Sequence, residues 1–89
     1  MSEQILRIVN QKGLHARASA KFVEVVEAHD ATAQVTKDEM TVSGDSIMGL
    51  LMLAASIGTT IEVSTSGAQA ELLAAALADL VADRFGEEN

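Results

Sequence analysis

Apolar positions alternate, then fall into a helical stripe, then alternate again along the chain. Residues 4–10, QILRIVN, are β-branched and apolar and predict a strand ending near Gln11-Lys12-Gly13. From Ala16 to about Ala28 the period becomes helical, with Phe22, Val23 and Val26 on one face and Lys21 and Glu24 off it. His29-Asp30 closes this helix, where an imidazole interacts favourably with the helix dipole. Residues 31–44, ATAQVTKDEMTVSG, predict two short strands around a Lys37-Asp38-Glu39 turn, with Ala33, Val35, Met40 and Val42 as buried candidates. The next segment, GDSIMGLLMLAAS, predicts a short helix capped by Asp45 or Ser46, and Gly58 ends it. TTIEVSTSG is a strand with Ile61 and Val63 on one face. A last helix is expected to begin near Ser66, where Ser66 and Gln69 fit a capping box. Its apolar stripe is Leu73, Leu77, Leu80 and Val81, Gly86 is its stop, and the GEEN tail is expected to fray.

The predicted order, β-α-β-β-α-β-α, defines an α+β domain of two layers, in which helices cover one face of a sheet and water the other. With 89 residues, a single domain over 1–89 is expected, without room for a large active-site cavity. Two Phe are the only aromatic residues, so Val, Leu, Ile, Met and Ala must build the core. The chain has no cysteine, which removes thiol catalysis, disulfides and zinc-thiolate sites and fits a cytoplasmic location. The N-terminal residues lack the pattern of a signal peptide, and SIMGLLMLAASIGTTI is too short and polar to span a bilayer.

A net charge of −7 makes nucleic acid and anionic membranes poor partners. The distribution is more informative. Residues 4–23 hold no Asp or Glu, yet carry Arg7, Lys12, Arg17 and Lys21. His15 lies inside this acid-free segment, where a local positive field favours an anion. A solvated basic face explains the same pattern equally well.

If a helix starts at Ala16, His15 stands near its N-cap. The first backbone N–H groups of a helix have no intrahelical partner, and with the dipole they form an anion site. A phosphoryl group on His15 would sit in that field, and Arg17 would add a charge-assisted contact. Gly13 permits an unusual turn just before. Imidazole is a nucleophile only when neutral, and the positive end of a helix favours the neutral ring. Phosphoryl transfer needs mainly positioning and electrostatic support, which a small domain can give to a larger enzyme. Spacing alone nevertheless favours a capping histidine over a covalent site, because caps are far more common. His29 is about a helix length away, so no metal-ligand cluster is formed, and no metal or cofactor is expected.

The run GLHARASAKFV resembles the active-site signature of HPr, the histidine phosphocarrier family of the bacterial phosphoenolpyruvate:sugar phosphotransferase system. SIMGLLMLA resembles the family's second motif, and element order, motif spacing and length agree over essentially the whole chain. The resemblance implies an open-faced β-sandwich: a four-stranded antiparallel sheet of order 1-4-2-3 with three helices on one face. It implies that His15 accepts a phosphoryl group from phosphorylated Enzyme I on Nδ1 and gives it to Enzyme IIA domains. Arg17 takes the place that assists the phosphohistidine, with the backbone of Ala16, Arg17 and Ala18 as the phosphate cradle. Ser46 takes the place that an HPr kinase/phosphorylase modifies in many bacteria. The protein is then a carrier rather than an enzyme, and a monomer.

Two departures stand out. Many relatives carry proline three residues after the histidine, whereas this chain has Ala18, which leaves one more free N–H near the phosphate. HARAS resembles the alphaproteobacterial branch. Glu24 and Glu27 lie on the outer part of the first helix, where some sugar-system carriers are neutral or basic. This fits either surface drift or the different partners of the nitrogen-related branch. The alternative function is therefore a regulatory interaction module of that branch, acting mainly by binding. Intact His15 and Arg17 favour the carrier, and no substrate pocket supports a self-sufficient enzyme.

IMGLLML is apolar nearly all round, and a two-turn helix over a sheet buries only one side. Leu50 and Leu53 share the inner face, which leaves Ile47, Met48, Leu51 and Met52 outside as a candidate docking patch. By the resemblance, Leu14, Ala20, Ile47, Met48 and Leu51 form the partner surface beside His15.

Overall fold

The computed structural model describes residues 1–88. Strand β1 (Ser2–Arg7) is followed by helix α1 (Ala16–Glu27), strands β2 (Thr32–Lys37) and β3 (Met40–Ser43), helix α2 (Ile47–Met52), strand β4 (Thr60–Ser66) and helix α3 (Ala70–Ala82). A single 3-10 turn, Arg84–Gly86, follows α3. The predicted element order and the implied sheet are both found. The strands run β1-β4-β2-β3, and every neighbouring pair is antiparallel.

Alternation decides which side chains enter the core. On β4, Ile61, Val63 and Thr65 are buried while Glu62 between them is exposed. Val63 pairs with Val35 of β2, and Val35 with Val42 of β3, so one layer of β-branched residues crosses the sheet. The stripe of α1 (Phe22, Val23, Val26) and that of α3 (Leu73, Leu77, Val81) close over this layer with Leu50 of α2. Leu80 is half-buried at the stripe's margin. Leu50 of α2 and Leu53 at its C-cap point inward.

Three local expectations are corrected. Met40, at the rung beside the hairpin turn where it faces Lys37 on the edge strand, is 41% exposed rather than buried. The loop there is the pair Asp38-Glu39, with Asp38 in the left-handed region at φ 56°, a conformation that aspartate tolerates better than most residues. The capping box is absent: Ser66 is still in β4, where its hydroxyl bonds Thr32 Oγ1 at 3.0 Å. Gln69 instead accepts the Asp30 N–H at 2.7 Å through Oε1, which ties the start of α3 to the end of α1.

The third correction concerns the tail. After α3, Arg84 and Phe85 both adopt positive φ (55° and 54°), and the chain turns back on itself. Phe85 is fully buried in the core. The Lys21 ammonium donates to the Phe85 carbonyl at 2.6 Å, and the Glu87 N–H donates to Arg84 O at 2.9 Å. Through Glu87 this tail is a packed part of the fold rather than a frayed end.

Candidate functional site

The loop from β1 to α1 is pinned at both ends. Ile8 N–H donates to Thr59 O at 2.9 Å, and Leu14 N–H donates to Ala55 O at 2.9 Å. Gly13 sits between them at φ +65°. A Cβ there would lie 2.4 Å from Ala55 O, so both conformation and space exclude a side chain. The Gly13 carbonyl accepts from His15 N–H at 3.0 Å and from the buried Asn10 amide at 2.8 Å. Both contacts tighten the turn that delivers His15 to the helix start.

His15 is the N-cap of α1, with extended backbone (φ −81°, ψ −176°), and its ring makes no capping hydrogen bond. Its carbonyl accepts the Ser19 N–H at 2.8 Å, the first bond of the helix. The amides of Ala16, Arg17 and Ala18 precede that bond, as helix geometry requires, and have no backbone acceptor among the described residues. The His15 side chain is 28% exposed. It opens into a cleft of about 510 Å³ whose wall also carries Lys12, Arg17, Glu87 and Glu88. Arg17 is exposed at the wall of this cleft, while Ala18 is fully buried.

The feature that sequence reasoning missed is Glu87. Its Oε2 contacts His15 Nε2, and its Oε1 accepts from Asn10 Nδ2 at 3.0 Å. Both donor contacts of Asn10 fix its amide, and Oδ1 is left without a partner among the described residues. Burial by itself would raise the Glu87 carboxyl. The hydrogen bonds from His15 and Asn10 and the charges of His15 and Lys12 outweigh it and hold the group below the ordinary glutamate value.

Ser46, rather than Asp45, caps α2, accepting the Gly49 N–H at 3.0 Å. Asp45 is engaged by the Ser43 hydroxyl at 2.6 Å. On α2 Ile47, Met48 and Met52 are 40%, 69% and 63% exposed, an apolar patch on a short helix, while Leu51 and Ala20 are half-buried. Leu14 does not belong with them. It is 4% exposed and part of the core cluster, because its N–H is tied to Ala55 and its side chain turns inward as His15 turns out. The loop after α2 reaches His15: Ala54, Ala55 and Ser56 line a second face of its ring. His29, as expected, closes α1, with Nδ1–H donating to Val25 O at 2.8 Å. Among the described residues no group of three His, Cys, Asp or Glu can hold a metal, and no helix is long and apolar enough to cross a membrane.

The chain is thus a small open-faced α+β sandwich that presents a histidine at a helix start, beside an arginine. A family model for the PTS HPr component phosphorylation site matches residues 2–83. The Phosphocarrier protein HPr of Neisseria meningitidis serogroup A is 47% identical over 87 residues, 98% of each chain. That of Cupriavidus necator is 39% identical over 87 residues, again 98% of each chain. The crystal structure of HPr-C-His from Thermoanaerobacter tengcongensis superposes with a TM-score of 0.94 at 38% identity, covering 100% of both chains. The chain belongs to the HPr family, the phosphocarrier proteins of the phosphotransferase system.

Proposed function

We propose that this HPr-family protein accepts a phosphoryl group on His15 from phosphorylated Enzyme I and passes it to Enzyme IIA domains, as a monomer in the cytoplasm. The observation that carries this reading is the placement of the His15 ring at the N-cap of α1. There it is partly exposed, beside Arg17 and the three unpaired amides of Ala16, Arg17 and Ala18. Those amides and the helix dipole favour the arriving anion, and Arg17 supplies a charge-assisted contact to its oxygens. Little further machinery is required of the carrier, since positioning and charge dominate at a loose phosphoryl-transfer transition state.

The exposed side chains of Ile47 and Met48, with the half-buried Leu51 and Ala20, support docking of both partners on the α1–α2 face. Ser46 stands at the edge of this patch as the α2 cap. Its phosphorylation by an HPr kinase/phosphorylase would add negative charge to an apolar docking surface and slow transfer from Enzyme I.

The test is incubation with Enzyme I, magnesium and phosphoenolpyruvate. The expected result is an acid-labile phosphate on the wild type that His15→Ala lacks. No label on the wild type, with an Enzyme I competent toward another carrier, would overturn the proposal.

A further inference from the structure

We propose that Glu87 is a positioning residue for the phosphoryl-accepting ring: its carboxylate holds the proton of His15 on Nε2, leaves the Nδ1 lone pair as the nucleophile, and balances the charge that the ring acquires on phosphorylation. This rests on the carrier reading above and assigns the tail of the chain a part in it.

An ionised carboxylate only accepts, and a neutral imidazole carries one N–H. With Glu87 Oε2 on Nε2, the proton of the neutral ring must reside there. Nδ1 is then the basic nitrogen, and among the described residues it has no hydrogen-bond partner; the helix cap leaves it unused. The depressed Glu87 carboxyl fits the ionised form that this requires.

The orientation of Glu87 is over-determined. Phe85 is sunk in the core, the Lys21 ammonium holds the Phe85 carbonyl, and the fully buried Asn10 takes the other Glu87 oxygen. Each carboxylate oxygen therefore has one partner and one task. Lys12, Arg17 and Glu88 share the cleft, but none of them hydrogen-bonds the ring. A carboxylate that fixes the tautomer of a histidine and stabilises its imidazolium is a known division of labour in acyl transfer. Here it would serve phosphoryl transfer.

The step balances without another reactant. The Nδ1 lone pair forms the N–P bond as the donor's bond to phosphorus breaks, and the donor keeps that electron pair. The Nε2 proton stays in place, so the ring becomes an N-phosphorylated imidazolium with Glu87 opposite its protonated edge. Onward transfer returns the N–P electron pair to Nδ1 and restores the neutral Nε2–H ring.

Long-range ¹H–¹⁵N spectra of the His15 ring in the full chain, at a pH where the ring is neutral, test the first half. Wild type is expected to show Nδ1 unprotonated and a slowly exchanging Nε2–H resonance. Glu87→Ala should lose that resonance and drift toward mixed-tautomer shifts, whereas Glu87→Gln, whose amide oxygen still accepts, should retain it. Transfer from phosphorylated Enzyme I tests the second half: both variants should accept phosphate about tenfold more slowly. An unchanged ring spectrum in Glu87→Ala overturns the tautomer assignment. Wild-type transfer in Glu87→Gln overturns the charge-balancing role. Because the spectra are read on unphosphorylated protein, they decide the tautomer even if wild type proves unable to take phosphate, a result that would overturn the carrier reading separately.

Discussion

Glu87 Oε2 meets His15 Nε2 across 72 residues of chain, joining the segment after the Arg84–Gly86 turn to the N-cap of α1. A contact of such sequence separation forms only when β1, α1 and α3 are already packed. The contact that positions the ring therefore depends on the completeness of the fold.

The pH dependence of that contact has a definite sign. The Glu87 carboxyl is held below its ordinary value in the folded chain. The folded state therefore binds this proton less readily than the unfolded state. The stabilisation it contributes is complete above the ordinary glutamate range and is lost as pH falls through the lowered folded value. Urea unfolding of wild type and Glu87→Gln should show wild type more stable at neutral pH, with the gap closing in acid below the glutamate range. A gap that stays constant into acid would mean that the carboxylate charge is not what the contact uses.

Gly13→Ala should be among the most damaging single-methyl additions in the chain. The added carbon would lie 2.4 Å from the Ala55 carbonyl oxygen, at a φ of +65° that costs a non-glycine residue about 1–2 kcal/mol by itself. Overpacking against fixed backbone adds about 1–3 kcal/mol. Denaturant midpoints should fall accordingly. Because Gly13 O also receives His15 N–H and Asn10 Nδ2–H, the ring resonances of His15 should shift in the folded variant. A loss of less than about 1 kcal/mol would show that the loop can move away from Ala55.

How much of this was legible in the sequence depends on distance along the chain. The helix start at His15 could be read because its cues are local: Gly13, the onset of 3.6-residue periodicity at Ala16, and an acid-free basic segment. The α2 patch could be read because a two-turn helix with six apolar side chains in IMGLLML cannot bury them all. Leu14 was misplaced because position next to an exposed histidine says nothing of direction; the tie to Ala55 sets it. The Ser66–Gln69 box failed because Gly67, at φ +113°, separates a strand end from a helix start, and both side chains find partners elsewhere. Glu87 was invisible because its route to His15 runs through Arg84 and Phe85, two non-glycine residues in the left-handed region, ahead of Gly86 at φ +78°. The available hint was Phe85, one of only two aromatic residues, standing directly before the Gly86 stop, where a large apolar side chain calls for burial.

Ser46 separates capping from regulation. Its Oγ accepts the Gly49 N–H at 3.0 Å, so Ser46→Ala should cost about 1 kcal/mol of stability. Aspartate caps as well as serine, and Ser46→Asp should unfold near the wild-type midpoint. The same Asp variant should accept phosphate from Enzyme I about tenfold more slowly, because it places a charge beside the apolar docking patch. Transfer at the wild-type rate in Ser46→Asp would remove the case for regulation at this site. A stability loss equal to that of Ser46→Ala would show that the Asp side chain does not cap.

Phe85 offers a route to the site that leaves every charged group in place. It is fully buried, in a left-handed conformation that alanine would find no easier. Phe85→Ala should therefore cost about 3–5 kcal/mol through lost burial and a cavity. Phe85→Leu, which keeps most of the volume, should cost less and hold the chain folded. In both variants the tail loses its anchor, since the Lys21 bond to the Phe85 carbonyl and the Asn10 bond to Glu87 depend on where Phe85 sits. Hydrogen exchange should then report the Glu87 N–H opening before the α3 amides, and the His15 Nε2–H should exchange faster in Phe85→Leu than in wild type. If Phe85→Leu leaves both exchange rates unchanged, the tail is held by Asn10 and Lys21 alone, and the core contact is not what positions Glu87.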